Sequence, residues 1–254
     1  MDWHTVLALV LSGAIGVSLG WLGGGGSILA VPVLVYVAGV EAKEAVAMSL
    51  AMVGATSLVA SLLHQRHGRL DAKTAALFGG AGMAGAFFGA KLTPLVSSAM
   101  LLLLFAVVML SVATLMLVHN RPDVTAGEKY AGRWRNTLLA GAGVGVVTGF
   151  LGVGGGFLIV PALVLVAGLS MHMAVGTSLL VMTINAAAGF VGHLGASRVP
   201  MALTGVLTAA AVAGTFVGAR IAGRLPAHGM RRAFAGFVLV VALFLIAANH
   251  RALL

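Results

Sequence analysis

One glycine-rich stretch decides the fold of this chain: Trp21-Leu22-Gly23-Gly24-Gly25-Gly26-Ser27-Ile28-Leu29-Ala30-Val31-Pro32. It returns 129 residues later as Phe150-Leu151-Gly152-Val153-Gly154-Gly155-Gly156-Phe157-Leu158-Ile159-Val160-Pro161. The two copies align without a gap over 50 residues, from Gly20/Gly149 to Arg69/Arg198, and 19 of these positions are identical. Long apolar repeats that each open on a glycine cluster are typical of internally duplicated membrane proteins.

The composition is that of a membrane protein. Of the 254 residues, 60% are hydrophobic and 8% are charged, whereas a soluble domain carries about 25% charged residues. Runs such as Leu101–Leu117 and Phe234–Ala248 contain no charge, and a membrane-spanning helix needs about 20 residues of this kind. We therefore expect an all-α polytopic membrane protein that lies in the lipid bilayer.

The charged and reactive residues exclude several functions. The net charge of +9 comes from Lys and Arg in short loops between apolar runs, which fits membrane topology better than nucleic-acid binding. The chain has no cysteine and no visible cluster of catalytic or metal-binding residues. We therefore expect that the protein is not an enzyme and that it binds no metal ion or cofactor. No acidic residue falls in the middle of an apolar segment, which disfavours a carboxylate proton relay and a cation site. The acidic residues are Asp2, Glu41, Glu44, Asp71, Asp123 and Glu128.

The apolar segments form two sets of five, separated by a polar loop. The first repeat, residues 1–118, has its segments at 5–22, 27–40, 44–63, 73–92 and 98–118. A predicted cytoplasmic loop occupies 119–135. The second repeat, residues 136–254, has its segments at 136–151, 156–169, 173–193, 201–220 and 231–249. The glycine clusters break each repeat after its first segment, because glycine is costly in a helix.

The basic residues indicate how the two repeats lie in the membrane. If each glycine-broken stretch crosses the membrane once, the halves are parallel and the Lys and Arg divide nine to six between the two sides. If each stretch is a hairpin, the halves are inverted and the division is eleven to four, which fits the positive-inside rule better. We therefore predict two inverted repeats of about five segments, each beginning with a glycine-broken hairpin, and both termini outside the cytoplasm.

The glycine clusters are also the first candidate binding site. Gly25-Gly26-Ser27 and Gly154-Gly155-Gly156 each open a short helix. The first N–H groups of a helix have no partner within it and carry partial positive charge, so they can bind an anion. In inverted repeats two such helix ends would converge near the midplane of the membrane. The alternative is that the glycines only permit a tight turn or a close helix crossing.

Polar residues recur along the third segment of each repeat. The equivalent pairs are Ser49 and Ser178, Thr56 and Asn185, and His64 and His193. Spacings of seven and eight residues keep each set on roughly one helix face. Together with Thr177, the two serines and Asn185 could complete the coordination of an anion, or they could only bond between helices, at about 0.6 kcal/mol each. The histidines could gate the path or sense pH, since histidine titrates near neutrality.

The paired motifs resemble the sulfite exporter TauE/SafE family of membrane permeases. The resemblance rests on Gly20–Ser27 with Val31-Pro32, on Gly149–Gly156 with Val160-Pro161, and on Ala174-Val175-Gly176-Thr177-Ser178. It covers the chain from about residue 5 to residue 249. It implies that a small sulfur-containing or organic anion, such as sulfite, thiosulfate or sulfoacetate, crosses the bacterial inner membrane. The first repeat departs from the pattern, with Ala45-Val46-Ala47-Met48-Ser49 at the equivalent positions.

These features together predict a secondary anion transporter. The two glycine clusters would form a site at the midplane, and the Ser, Thr and Asn side chains of the third segments would line it. One repeat would move against the other to give alternating access. A passive anion channel and a membrane scaffold without a solute path are the alternatives. The sequence allows a homodimer but does not fix the oligomeric state.

Overall fold

The computed structural model describes residues 3–92, 96, 98–118, 134–151, 156–193 and 200–253. Within these ranges the regular secondary structure is entirely helical. Ten α-helices follow one another: α1 (Trp3–Leu22), α2 (Ser27–Pro32), α3 (Ala42–Arg66), α4 (Ala72–Leu92), α5 (Ser98–Val118), α6 (Trp134–Leu151), α7 (Gly156–Leu165), α8 (Met171–His193), α9 (Met201–Arg224) and α10 (Ala227–Leu253). Their order confirms the all-α fold expected from the apolar segments.

The helices differ in length in a way that matters for a membrane. Four of those described are long and apolar enough to cross one: α1, α3, α8 and α9. The apolar helices Ser27–Val37 and Gly156–Leu165 are much shorter. A helix of ten residues, such as α7, rises about 15 Å, against a hydrocarbon core of about 30 Å. The second helix of each repeat is therefore long enough for about half of that core.

The second helix of each repeat ends near an equivalent glycine. Pro32 lies inside a helix that continues as a wider π-helical turn, Val33–Val37, and proline removes one hydrogen bond from a helix because it has no N–H. Gly39 and its equivalent Gly168 then adopt φ values of +67° and +72°. This left-handed conformation favours glycine, so the chain turns at the same place in both repeats.

The two repeats interlock and do not form separate bundles. α1 packs along α9, the fourth helix of the second repeat, and α6 packs in the same way along α4, the fourth helix of the first. α3 packs against α8 and α5 against α10, so these pairs join equivalent helices. The core extends across all of these pairs, and its fully buried side chains include Leu19, Met52, Phe78, Phe157 and Phe234.

Glycines bring the interlocked helices into backbone contact. Four of these glycines lie so close to the facing helix that an added Cβ atom would collide with one of its carbonyl groups. Helices in lipid associate through close backbone approach of this kind. The equivalent contacts are Gly16 with Ala211 and Gly145 with Gly82, and Gly20 with Thr215 and Gly149 with Ala86. In each pair of helices, a residue later in one helix contacts a residue later in the other. α1 and α9 are therefore parallel, and so are α4 and α6.

α3 and α8, the third helices of the two repeats, run in opposite directions. A Cβ at Gly189, late in α8, would contact the side chain of Leu50, early in α3. A Cβ at Gly176, early in α8, would meet the carbonyl of Arg69, just beyond the end of α3. The first half of α3 therefore packs against the second half of α8.

One end of the bundle gathers the ends of α1, α3 and α9 and the start of α8. His64 Nε2 on α3 lies 3.1 Å from the carbonyl oxygen of Gly20 on α1. His172 Nε2 on α8 lies 3.2 Å from the carbonyl oxygen of Leu225, which follows α9. We call this the basic end, because its helix ends and loops carry Arg66, Arg69, Lys73, Arg220, Arg224, Arg231 and Arg232.

The glycine contacts predict a sharp difference between two substitutions on α6. Gly145→Ala should lower the Tm in detergent by roughly 3–10 °C, because its Cβ would meet the carbonyl of Gly82 and force the helices apart. Gly143→Ala is the matched control: nothing lies within 4 Å of its Cβ position, and alanine is a better helix former than glycine. Equal Tm values for the two variants would contradict the role of the contact.

Candidate functional site

The two glycine clusters meet inside the protein. A Cβ at Gly24, just before α2, would collide with the carbonyl group of Gly156, the first residue of α7. A Cβ at Gly156 would in turn lie 2.8 Å from Ser27 Oγ and 2.9 Å from the side chain of Met182. The starts of α2 and α7 are therefore in contact, as expected from the repeat. Gly154 and Gly155 lie outside the described residues.

Gly25 and Gly26 face neighbouring helices. The Cβ position of Gly25 lies 2.7 Å from the ring of Phe237 on α10. The Cβ position of Gly26 lies 2.6 Å from the carbonyl oxygen of Ile15 on α1. Both glycines are buried, so in this conformation they provide close helix packing, and their contact with a ligand stays a prediction.

A cavity of about 440 Å³ adjoins the junction of the two clusters. It is enclosed by α2, α3, α4, α6, α7 and α8. Its polar lining consists of Ser27, Ser49, Thr148 and Asn185. The wall is otherwise made of glycines, alanines and larger apolar side chains, including Val31, Leu50, Phe78, Val144, Ile159 and Met182. None of the described residues that line it carries a charge.

Three of the polar side chains in this wall are hydroxyls that bond within their own segment. Ser27 Oγ donates to the carbonyl oxygen of Gly24 at 2.7 Å, and Ser49 Oγ donates to that of Val46 at 2.8 Å. Thr148 Oγ1 donates to the carbonyl oxygen of Gly145 at 3.1 Å. Such bonds leave the oxygen lone pairs free, and rotation of the hydroxyl would let each proton donate into the cavity.

Asn185 supplies the unsatisfied polar group of the cavity. Its Oδ1 is buried and has no hydrogen-bond partner among the described residues. A buried polar atom without a partner costs about 1–3 kcal/mol, so such an atom in a native protein calls for an explanation. Asn185 lines the cavity, and a water molecule or another hydrogen-bond donor in the cavity would satisfy this oxygen, which can only accept.

Thr177 and Ser178 form a separate cluster. Thr177 Oγ1 accepts a hydrogen bond from the Asp71 N–H at 3.1 Å. Ser178 Oγ lies 2.7 Å from the carbonyl oxygen of Gly23 and donates to it. Both side chains are fully buried and do not line the cavity. Of the third-helix residues predicted to bind substrate, the structure thus brings Ser49 and Asn185 together in the cavity and places these two at the basic end.

Of the two histidines predicted to gate the path or sense pH, the structure describes the side chain of His64 but not that of His193. His64 is 2% exposed; one ring nitrogen lies near Gly20, as noted above, and the other, Nδ1, is buried without a described partner. His193 ends α8, but its side chain lies outside the described atoms. Among the described residues no group of three His, Asp or Glu could hold a metal ion.

Thr148 is the cavity residue that sequence reasoning missed. Its equivalent in the first repeat is Leu19, which is apolar, so comparison of the repeats pointed away from it. The available signal was its isolation: after Thr137, it is the sole residue of α6 that is neither apolar nor glycine.

Comparison with known proteins identifies the family. The model of the family described as sulfite exporter TauE/SafE matches residues 2–245. The chain belongs to this family. Its relatives include a probable membrane transporter protein of Xylella fastidiosa (strain 9a5c), 32% identical over 252 residues that cover 95% of this chain and 96% of the relative. The probable membrane transporter protein YdhB of Bacillus subtilis is 27% identical over 224 residues, 87% of this chain and 91% of the relative. No solved structure matches the chain.

Membership confirms the resemblance drawn from the glycine motifs, and it makes the chain a membrane transporter of the TauE/SafE family. The match spans both repeats, so the cavity is built from parts of the chain that the family shares. A transport family is not an enzyme class.

Replacement of Asn185 by leucine is predicted to increase thermal stability and to abolish transport. Asn185→Leu should raise the Tm of the ligand-free protein by about 2–6 °C, because it removes a buried atom without a partner. It should abolish transport. Ser178→Ala is the comparison, since it removes a hydroxyl that has a partner and should lower the Tm. A lower Tm for Asn185→Leu would mean that the amide is structural.

Proposed function

We propose that this TauE/SafE protein is a secondary transporter that carries a small sulfur-containing or organic anion by alternating access. Sulfite, thiosulfate and sulfoacetate are the candidate substrates. The observation that carries the proposal is the cavity at the junction of the two glycine clusters, whose described lining is polar at four side chains and carries no charge. A site without carboxylates does not repel an anion and lacks the charged ligands that mark cation pathways in membranes.

Hydrogen-bond donors for the anion come from side chains and, in this proposal, from helix ends. The hydroxyls of Ser27, Ser49 and Thr148 and the amide of Asn185 line the cavity. The starts of α2 and α7 adjoin it, and the N–H groups of Ser27 and Ile28 make long turn hydrogen bonds of 3.3 and 3.4 Å to the glycine cluster. Bonds of this length are weak, so an anion could compete for these donors.

The arrangement of the two repeats supports alternating access. Equivalent helices that run in opposite directions, as α3 and α8 do, are what an inverted repeat requires. In transporters of that kind the two halves are related by a two-fold axis in the membrane plane, and substrate binds where the repeats meet. The contact between Gly24 and Gly156 supports a central site of this type.

The basic end supports an orientation in the bacterial inner membrane. Seven Lys and Arg lie there, whereas Lys91, at the far end of α4, lies at the opposite end. By the positive-inside rule the basic end would face the cytoplasm, and both termini would then lie outside, in keeping with the expectation from the sequence. The cavity is lined by the first half of α3 and the second half of α8, so in this orientation it lies toward the periplasm.

The proposal is tested first by ligand-induced thermal shift on the purified protein in detergent. The panel is sulfite, thiosulfate, sulfoacetate, sulfate, chloride and several cations. Selective stabilisation by one sulfur anion, about 2.7 kcal/mol at a hundred times its Kd, is expected. It should be lost in Asn185→Leu and kept in Gly143→Ala, whose substitution lies in open space. Stabilisation by cations alone would overturn the anion assignment.

Flux into proteoliposomes separates the transporter from its alternatives. A transporter should show uptake that saturates with the concentration of the stabilising anion and is lost in Asn185→Leu. Conductance that does not saturate would identify a passive anion channel. Absence of any flux from protein that binds the anion would favour a scaffold without a solute path.

A further inference from the structure

We infer that the structure represents one of two related states, and that a second cavity, closed here, opens at the basic end between α1, α3, α8 and α9. The inference rests on the proposed transport function and specifies the part of the protein that forms the opposite access. It comes from three observations: the internal repeat, a set of buried hydroxyls, and the hydrogen bonds at the basic end.

The internal repeat identifies where the second cavity would form. We call the lining of the present cavity the open half, and the equivalent parts of α1, α3, α8 and α9 the closed half. Each residue that lines the open cavity has an equivalent 129 positions away, and these equivalents lie on helices that pack in the same way, with α1 along α9 as α6 is along α4. Most of these equivalents are at most 2% exposed, among them Ser12, Ile15, Thr56, Ser57, Ser178 and Ala211. The same architecture is thus present twice, once around a cavity and once packed shut.

The closed half contains polar groups that its packing does not explain. Ser12 Oγ and Ser57 Oγ are fully buried, and neither has a hydrogen-bond partner among the described residues. Their equivalents in the open half are Gly141 and Ala186, which line the cavity. A closed apolar interface would be more stable with alanine at both serines. A second state, in which water or substrate reaches the hydroxyls, gives them partners.

Hydrogen bonds across the basic end hold the closed half shut. Ser178 on α8 donates to the Gly23 carbonyl beyond α1, and Thr177 accepts from the Asp71 N–H beyond α3. Ser49, the equivalent of Ser178, lines the open cavity and bonds to Val46 in its own helix. Ser178 Oγ is likewise 2.8 Å from the carbonyl oxygen of Val175 in its own helix, and it differs from Ser49 in having the Gly23 carbonyl as a second partner. The two serines thus have different roles in one structure. In the second state Ser178 would face a cavity, as Ser49 does here.

The centre of the site belongs to both states. Val53 and Met182 are equivalents of each other, and both line the present cavity. Ser27 and Gly156 are also equivalents, and they are in contact. Residues at the two-fold centre keep their surroundings when the halves exchange roles, so a substrate could stay beside them while access changes from one end to the other.

Thiol accessibility tests the inference directly, because the chain has no cysteine. Ala186→Cys and Ser57→Cys place single thiols at equivalent positions, and Ser12→Cys is a second reporter in the closed half. The modification rate by a membrane-impermeant maleimide is measured from each face of the membrane, without any anion. Ala186→Cys should react from the face opposite the basic end, and Ser57→Cys at least tenfold more slowly and only from the basic end.

Removal of one closing hydrogen bond should shift the balance between the states. Adding Ser178→Ala should raise the rate at Ser57→Cys about three- to tenfold, as expected for loss of one hydrogen bond, and should lower it at Ala186→Cys. Ser61→Ala is the matched control, since Ser61 is a buried α3 hydroxyl that donates to the carbonyl of Leu58 in its own helix. It should leave both rates unchanged.

The results of the thiol-accessibility experiment can be distinguished from those of the test of the proposed anion substrate. Reaction of Ser57→Cys and Ser12→Cys from the cavity face, or rates that do not respond to Ser178→Ala, would overturn the second state. Coupled changes in the two rates would support it even if no anion on the panel stabilised the protein, a result that would overturn the proposed substrate class alone.

Discussion

Backbone contact between helices of different repeats is the constraint on which the rest of this structure depends. Glycines of α1 lie against carbonyl groups of α9, and glycines of α6 lie against those of α4. In lipid the hydrophobic effect does not drive helices together, so small residues and close packing take its place. These two pairs hold the repeats interlocked, and the interlocking brings the starts of α2 and α7 together at the centre. The cavity lies beside that junction, with α3 and α8 crossing it.

The site combines an apolar wall with a few polar groups and no charge. Ligand pockets are commonly built in this way, with few polar groups that fix orientation. Here the polar groups come from short side chains, three hydroxyls and one amide, so the proposed binding would not depend on a buried Lys or Arg, whose strong attraction would slow release. The basic residues lie instead at one end of the bundle. In the proposed transporter, charge would set the orientation in the membrane, and side-chain dipoles would bind the substrate.

The sequence predicted the fold more fully than the site. Apolar runs located the helices, because burial in lipid needs them whatever their neighbours are, and the alignment of the repeats located the glycine junction. The roles of individual hydroxyls could not be predicted in this way. Ser49 and Ser178 are identical in the alignment, but one lines the cavity and the other bonds to Gly23. Thr148 was missed because its equivalent is leucine. Which partner a hydroxyl meets depends on how closely the helices around it are packed, and the alignment of the repeats does not state this.

The interlocked pairs also have a consequence for biosynthesis. The contacts between α4 and α6 join segments about 60 residues apart, whereas those between α1 and α9 join segments about 200 residues apart. At about 5–20 residues per second, α1 leaves the ribosome some 10–40 s before the carbonyl groups that its glycines contact. During that time its glycine face meets lipid or a helper protein. Of these two interlocked pairs, α4 with α6 is therefore the one that can form first, and each pair joins a helix of one repeat to a helix of the other.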